Sequence, residues 1–295
     1  MENPPIISLT DCCDANAVAR QSARLAALFG QAPAVLPLGG TDPEGFAALT
    51  LLDTLRATDL AGGAARPVAV LVNIAPRDGL WPNGAPFCYF RHEGNLVVST
   101  FNPRVLAPLR RYLGVEKVEV TDVREVVEAA AARWARFTAD EVDQITATQF
   151  RSLWYVPLLA RWLVDERPLP STTTAVPDEA DAGDTGDTGD GADGTARVAV
   201  VDNFGNCKLD VPAAAIAGYR AGEPVEIVSR RDGRTYSVRC FGRLPEVPHG
   251  EPGLTTGSSG FGFAELVVRG GSAAEHFGLR EGDRVLRDPA PAGRD

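Results

Sequence analysis

Several features that mark common protein classes are scarce or missing in this sequence. The 295 residues include three histidines and five cysteines, and the cysteines form no C-x-x-C pair. These counts argue against a metal site and a disulfide framework, so we expect a reduced, cytoplasmic protein without a metal. The sequence contains no run of 18 apolar residues, which is what a membrane-spanning helix would need. Its first residues also lack the basic and apolar regions of a secretory signal.

Clusters of basic residues are also missing. Lysine and arginine number 29 against 39 aspartates and glutamates, which gives a net charge of −10. Seven of the acids lie within residues 178–194, a segment of glycine, aspartate and threonine that contains no base. The rest of the chain is therefore nearly balanced, and neither a nucleic-acid partner nor a membrane surface is expected.

The first 177 residues alternate between the periodicities of strands and helices, which predicts an α/β domain with a mostly parallel sheet. A hairpin turn is predicted at Glu93-Gly94. The predicted strands are 6–10, 34–38, 67–74, the two strands of 87–101, and 117–123, and the predicted helices are 14–29, 41–55, 104–113 and 148–166.

The pattern changes after an acidic linker at 178–195, which has too few apolar residues to build a core. Short apolar runs separated by glycine, proline and aspartate then predict a smaller all-β domain, a barrel or sandwich, over 196–288. Residues 289–295 are interpreted as a tail. The sequence thus divides into an α/β domain, a linker and an all-β domain.

Two phrases of the second domain point to a family. VVDNFGNCKLDV (200–211) contains a D-x-F-G-N core, and SSGFGFAELVVRGGSAAEHFGLREGDRV (258–285) contains a G-F strand followed by G-S-A-A and G-D. In order and spacing they resemble the C-terminal domain of the S-adenosylmethionine (SAM) hydroxide adenosyltransferase family, which also contains fluorinating and chlorinating enzymes. Three segments of the first domain resemble the same family more loosely: ISLTDCCDANAV (7–18), TDPEGFAAL (41–49) and VSTFNPRVLAPL (98–109).

The resemblance implies a reaction and an assembly. SAM would bind between the α/β domain of one subunit and the β-domain of its neighbour in a homotrimer, with no other cofactor. Water or a halide ion would attack the ribose C5′ and methionine would leave. Because the sulfonium departs as a neutral thioether, the protein needs mainly to orient and desolvate the nucleophile.

The resemblance also assigns substrate-binding residues. Asp11 would accept hydrogen bonds from the ribose hydroxyls, although it could instead cap the following helix. Asp202 and Asn206 would hold the amino and carboxylate ends of methionine, although Gly205-Asn206 could simply form a turn. Phe204 would stack on the adenine or pack in the core.

The second phrase supplies the remaining binding candidates. Phe261 or Phe263 would stack on adenine, with core packing as the alternative. Ser259, Gly271 and Ala273 would offer backbone groups to the adenine edge, with a β-turn as the alternative.

The first domain departs from the family at its catalytic positions. In LVNIAPRDG (71–79), Asn73 stands where the family has an aspartate, and Arg77 lies near the position of an arginine. The segment QFRSLW (149–154) lacks the family's histidine, which leaves Arg151 or Ser152 to fill that place. Because neither is a base near neutral pH, either the nucleophile is handled differently or SAM binds without turnover.

Two further interpretations compete with this one. The phrase from Gly260 to Leu286 also resembles the front of a PDZ domain, which would capture a peptide as an added strand. The adjacent Cys12 and Cys13 could form a thiol site. However, neighbouring cysteines rarely form an unstrained disulfide, and small apolar packing is the better interpretation.

Overall fold

A computed structural model describes residues 3–59, 66–75, 84–178, 196–259 and 261–285. The chain divides into two compact units. The first unit comprises residues 1–39 and 50–182, and the second comprises 40–49 and 183–295. The predicted linker, apart from residue 178, and the predicted tail lie outside the described residues, so both stay predictions.

The first unit is built on a seven-stranded sheet in the order β2-β1-β3-β5-β4-β6-β7. Its strands are β1 (Ile6–Thr10), β2 (Ala34–Pro37), β3 (Ala69–Asn73), β4 (Phe87–His92), β5 (Asn95–Thr100), β6 (Lys117–Thr121) and β7 (Thr172–Ala175). The first four strands in the sheet order pair in parallel, and β4, β6 and β7 extend the sheet by antiparallel pairing. The parallel part places the carboxyl ends of β2, β1, β3 and β5 at one edge of the sheet.

Helices lie between these strands along the chain. They are α1 (Ala15–Phe29), α2 (Pro43–Asp59), α3 (Pro103–Leu113), α4 (Val123–Arg133), α5 (Ala139–Ala147) and α6 (Arg151–Val164), and the start of α2, residues 43–49, is grouped with the second unit. One apolar core joins α1, α4 and α6 to the same face of β1, β3 and β5, with Leu71 and Tyr155 among its buried members. The predicted helices are present, whereas α4 and α5 were not predicted.

Local signals explain where several elements begin and end. The side chain of Asp14 accepts a hydrogen bond from the Ala17 amide and caps α1, and Gly30 ends the helix in the left-handed conformation at φ 69°. The β4–β5 hairpin turns at Glu93 and Gly94, both at positive φ, as a two-residue turn of this kind requires. The predicted helix at 14–29 and the predicted hairpin turn are confirmed, whereas the cap at Asp14 was not predicted.

The second unit contains a six-stranded sheet in the order β10-β11-β12-β13-β9-β8. Its elements are β8 (Val198–Val201), β9 (Cys207–Pro212), β10 (Pro224–Val228), β11 (Thr235–Phe241), β12 (Pro252–Thr256), β13 (Phe263–Val268) and the short helix α7 (Ala273–Phe277), which was not predicted. Pairing is antiparallel except between β11 and β12. The sheet curls around a core that includes Leu209, Ile227, Leu254 and Phe277.

The last described segment bonds to both edges of this sheet. Gly282 donates to Val198 at 2.8 Å and Val285 donates to Ala196 at 2.9 Å, which adds the segment to β8. Val228, at the end of β10, donates to the carbonyl of Val285 at 2.9 Å. Residues 282–285 therefore bridge the two edge strands, so that less backbone is left open to pairing with another chain.

The fold class predicted from the sequence is confirmed: an α/β unit is followed by a smaller all-β unit. The PDZ interpretation does not fit this topology. In the sheet, β13 lies between β12 and β9 and pairs with both. A strand whose two sides are occupied cannot receive a peptide by strand addition, because that mode needs an open edge.

Candidate functional site

The carboxyl edge of the first sheet carries a row of aligned residues that we call the edge row: Thr10, Asn73, Thr100, Phe87 and Thr121. Thr10 pairs with Asn73, Thr100 with Phe87, and Phe87 with Thr121. Val72 pairs with Ser99, which sets Asn73 beside Thr100. Strands that are remote in sequence thus bring polar side chains to one edge, where ligands bind in parallel sheets.

Asn73 is held by the end of β1. Its side-chain amide nitrogen donates to the hydroxyl of Thr10 at 3.2 Å and lies 3.7 Å from the sulfur of Cys12. Thr10 is completely buried and Asn73 is 7% exposed. Burial makes an unmade hydrogen bond costly, so these contacts hold the Asn73 side chain at the end of β1.

Asp11 follows directly after Thr10 and turns toward the loop after β3. Its carboxylate accepts a hydrogen bond from the Ala75 amide at 3.1 Å, and the Cys12 sulfur lies 3.8 Å from its other oxygen. The alternative role of Asp11 as the cap of α1 is wrong, because Asp14 caps that helix. The predicted catalytic residue Asn73 and the predicted ribose ligand Asp11 therefore lie together at the end of β1 and β3.

Arg151 lies further along the same edge. It begins α6, and its guanidinium lies 3.4 Å from the carbonyl oxygen of Ala85 and 5.9 Å from the centre of the Phe87 ring. Burial lowers the pKa of Arg151, and the charge of Asp122 acts in the opposite direction. Phe87 is two strands from Asn73, a separation of about 10 Å at ordinary strand spacing.

The other two catalytic candidates are less defined. Ser152 follows Arg151 in α6 and is half-buried. Arg77 lies outside the described residues. Of the four predicted catalytic residues, the fold brings Asn73 and Arg151 to the edge row itself.

In the second unit, the D-x-F-G-N phrase forms the loop between β8 and β9. One carboxylate oxygen of Asp202 accepts from the amides of Phe204 at 2.9 Å and Asn206 at 3.0 Å. The other accepts from the side-chain amide of Asn206 at 3.1 Å. Asp202 therefore orders its own loop, and the turn expected as the alternative is formed.

The loop is also anchored to the start of α7. The Ala274 amide donates to the carbonyl of Gly205 at 2.9 Å, and Gly205 adopts φ 80°. A Cβ at this glycine would overlap the hydroxyl oxygen of Ser272. Phe204, at the tip, is 71% exposed and is not part of the core.

The remaining predicted binding residues differ in exposure. Phe263 is 2% exposed and Ala273 is completely buried, whereas Phe261 is half-buried beside Phe263 at a ring distance of 6.3 Å. Ser259 is 8% exposed, and Gly271 forms a turn in which its amide donates to Val268 at 3.0 Å. Phe204 and Phe261 are thus the rings of this set that a ligand can reach on the described chain.

The cysteines do not form a reactive pair. All five are free, and burial raises the pKa of the Cys12 thiol, with a further contribution from the charge of Asp11. Within the described ranges, no cluster of histidine, cysteine, aspartate or glutamate is suited to hold a metal ion. Nor does any helix in those ranges have the length and apolarity needed to span a membrane.

Comparison with known families addresses the second unit. Residues 196–286 match the family model described as the SAM hydroxide adenosyltransferase C-terminal domain. The β-domain is thus similar to the C-terminal domain of this family. The resemblance inferred from the two phrases is confirmed, and the matched residues include the whole six-stranded sheet of the second unit.

Solved structures share the fold over nearly the whole chain. A crystal structure of an uncharacterized conserved protein from Thermotoga maritima aligns with a TM-score of 0.65 and 17% identity, covering 95% of this chain and 99% of that one. A conserved hypothetical protein from Thermus thermophilus aligns with a TM-score of 0.56 and 20% identity, covering 96% and 99%. No curated protein matches the sequence. At these identities the likeness establishes the fold.

Sequence reasoning missed the hydroxyl groups of the edge row. Thr10, Thr100 and Thr121 each occupy the last position of their strand. The sequence signal for this group was that three strands of one sheet each end in a threonine. It could be interpreted only once the strand order was known.

Proposed function

We propose that the protein binds SAM and acts as a SAM hydroxide adenosyltransferase. In this reaction water attacks the ribose C5′, the C5′–sulfur bond breaks, and its electron pair stays on sulfur. The products are adenosine and L-methionine, and one proton passes to the solvent. The observation that carries the proposal is the family match over residues 196–286, which contains the Asp202–Asn206 loop.

The first unit supports the proposal through its edge row. Asp11 offers a carboxylate suited to a pair of vicinal hydroxyls, and Asn73 lies beside it with a fixed amide. These groups would hold the ribose and orient the attacking water, which is what a reaction with a good leaving group requires of the protein. The proposed roles are ribose binding for Asp11 and orientation of the nucleophile for Asn73.

The second unit would hold the amino-acid end of SAM. Asp202 orders the loop, Asn206 presents an amide group, and Phe204 offers an exposed ring. The resemblance implies that the two units contribute from different subunits, and we propose a homotrimer. Light scattering should then give three times the chain mass of 31.3 kDa.

A second candidate function is SAM binding without turnover. It is favoured by the lack of an imidazole base at the edge row, since His92 lies at the opposite end of β4 from Phe87. Water is a poor nucleophile and usually needs a base or a polar clamp. Calorimetry with SAM, together with chromatography for adenosine and methionine, separates the two. Binding without product would leave the second candidate, and no binding would contradict both.

The binding site is tested with Asn206→Ala. The loss of one hydrogen-bonding partner for the ligand should lower SAM affinity by about 1–3 kcal/mol. Asn203→Ala is the matched control, because it changes an exposed asparagine of the same loop. Equal affinities for Asn206→Ala and the control would count against the assigned loop.

A further inference from the structure

The contacts around Asn73 form a continuous polar network at the end of β1, and this inference rests on the function proposed above. The amide nitrogen of Asn73 reaches the Thr10 hydroxyl at 3.2 Å and the Cys12 sulfur at 3.7 Å. The Cys12 thiol in turn donates toward Asp11 at 3.8 Å, and the Cys12 backbone amide donates to the same Thr10 hydroxyl at 3.1 Å. Thr10 and Cys12 together therefore contact both the side-chain amide of Asn73 and the carboxylate of Asp11.

This network determines which atom of the amide faces outward. A carboxamide has two N–H donors on one atom and an acceptor oxygen on the other. Both donors of Asn73 have acceptors on the β1 side, in Thr10 and Cys12. The carbonyl oxygen is therefore directed away from β1. The Thr10 hydroxyl could bond to either end of the amide, but the Cys12 thiol has one proton, which it donates toward Asp11. Rotating the amide would therefore leave that thiol proton shared between two acceptors, the Asp11 carboxylate and the Asn73 oxygen.

We propose that Thr10 and Cys12 are positioning residues, which hold the carbonyl oxygen of Asn73 toward the nucleophile so that the site accepts water and rejects halide ions. Water can donate a hydrogen bond to that oxygen, whereas a halide ion has no proton to donate. The nearby carboxylate of Asp11 adds a charge of the same sign as the halide. A rotated amide would present N–H groups instead, which are the groups that favour an anion.

The thiol of Cys12 suits this role because it remains neutral. Burial and the neighbouring Asp11 both raise its pKa, so the thiol keeps its proton at neutral pH. A neutral thiol can donate to Asp11 and accept from Asn73 at the same time. As water attacks C5′, its oxygen forms the new bond, sulfur takes the electron pair of the broken bond, and the released proton passes to solvent. An amide is not a base, so Asn73 orients the water without taking that proton.

The test compares nucleophiles in the full-length protein. Wild type and variants are incubated with SAM in ¹⁸O-labelled water with added chloride, and mass spectrometry quantifies labelled adenosine and 5′-chloro-5′-deoxyadenosine. Thr10→Val keeps the shape but removes the acceptor, so the chloro-to-hydroxyl product ratio should rise by about tenfold, while kcat for adenosine falls and KM for SAM stays unchanged. Thr10→Ser should restore the wild-type ratio.

Three controls keep the outcome decisive. Thr255→Val removes a buried threonine hydroxyl from β12, and it should leave the ratio unchanged. Cys12→Ala should shift the ratio in the same direction as Thr10→Val, because it removes the contact that distinguishes the two orientations of the amide. Thermal unfolding of each variant establishes that the protein is folded, and a Thr10→Val protein that fails to fold leaves Cys12→Ala to decide.

Several results would overturn the inference. A wild-type protein that forms the chloro product as readily as adenosine would disprove selection of water, while the proposed adenosyl transfer would stand. An unchanged ratio in folded Thr10→Val and Cys12→Ala would disprove the positioning role. If calorimetry detects SAM binding but neither product forms, the inference fails together with the proposed turnover, and the binding function remains.

Discussion

The polar groups at the edge of the first sheet come from strands far apart in the chain, whereas those of the loop in the second unit come from five consecutive residues. Asn73 and Thr10 are separated by 63 positions, and Asp202 and Asn206 by four. The edge row depends on the order of the strands. The loop depends on Asp202 and on a glycine at positive φ.

This difference explains why the family is recognised through one unit and not the other. A loop that orders itself needs a fixed set of neighbouring residue types, so its motif remains readable in the sequence. An edge assembled by strand pairing can exchange an aspartate for an asparagine and still present a polar group at the same place. Similar sites can therefore keep a motif in one unit and lose it in the other.

Gly205→Ala gives the largest expected effect, and it tests whether the loop depends on this glycine. The new Cβ would overlap the Ser272 hydroxyl and would lie 2.9 Å from the Ser272 Cα, at a residue with φ 80°. Backbone strain and steric overlap together should lower the free energy of unfolding by about 2–4 kcal/mol, measured by urea denaturation.

Gly218→Ala is the matched control. Gly218 has the same φ of 80°, but a Cβ added there would have no atom within 4 Å. Only the conformational cost of about 1–2 kcal/mol should appear there. Equal losses at the two glycines would mean that the packing against Ser272 contributes nothing.

The next largest expected effect is a loss of stability at alkaline pH, caused by the buried thiol of Cys207 in the second unit. Burial raises the pKa of Cys207 to about 12, and the charges of Glu281 and Asp202 add to the shift. The unfolded thiol ionises near 9.0, so this group leaves stability constant below that pH. Between pH 9 and about 12 the unfolded chain releases the proton first. Stability then falls by up to about 1.4 kcal/mol per pH unit.

Cys207→Ala should remove that part of the alkaline loss. Denaturation midpoints measured from pH 7 to 11 should fall less steeply in the variant, after a constant cost for the small cavity. Cys88, in the first unit, also has a pKa raised by burial, without contributions from carboxylates. Cys88→Ala therefore shows how much of the slope burial alone produces. Identical slopes in wild type and Cys207→Ala would contradict the assignment.

Much of the local structure could be predicted from the sequence. The helix at 14–29 and the hairpin at Glu93-Gly94 could be predicted because their signals act within a few residues, whereas the cap at Asp14 was not recognised. The capping box of α5, formed by Thr138 and Glu141, is an equally local signal of a helix start. The five residues of α7 are too few for a helical period.

The candidate site was predictable only in part. Asp11 and Asn73 were selected through their family positions, but no spacing in the sequence reveals that Thr10 and Cys12 hold the Asn73 amide. Arg151 was chosen for its place in the chain, and its contact with Ala85 depends on the antiparallel addition of β4. Strand order and register are long-range properties that periodicity does not encode.

Tyr155→Phe has the smallest expected effect and tests how tightly the far end of the edge row is held. The Tyr155 hydroxyl donates to Thr121 at 2.9 Å, and Thr121 donates to the carbonyl of Phe87 at 3.0 Å. The variant keeps the ring packed against Phe87 at 5.5 Å, so it should lose about 1 kcal/mol of unfolding free energy. Combining it with Thr121→Val in a double-mutant cycle measures the coupling between the two hydroxyls. If the two losses simply add, the Thr121 end of the row is fixed by strand pairing alone, and α6 supports it only through apolar packing.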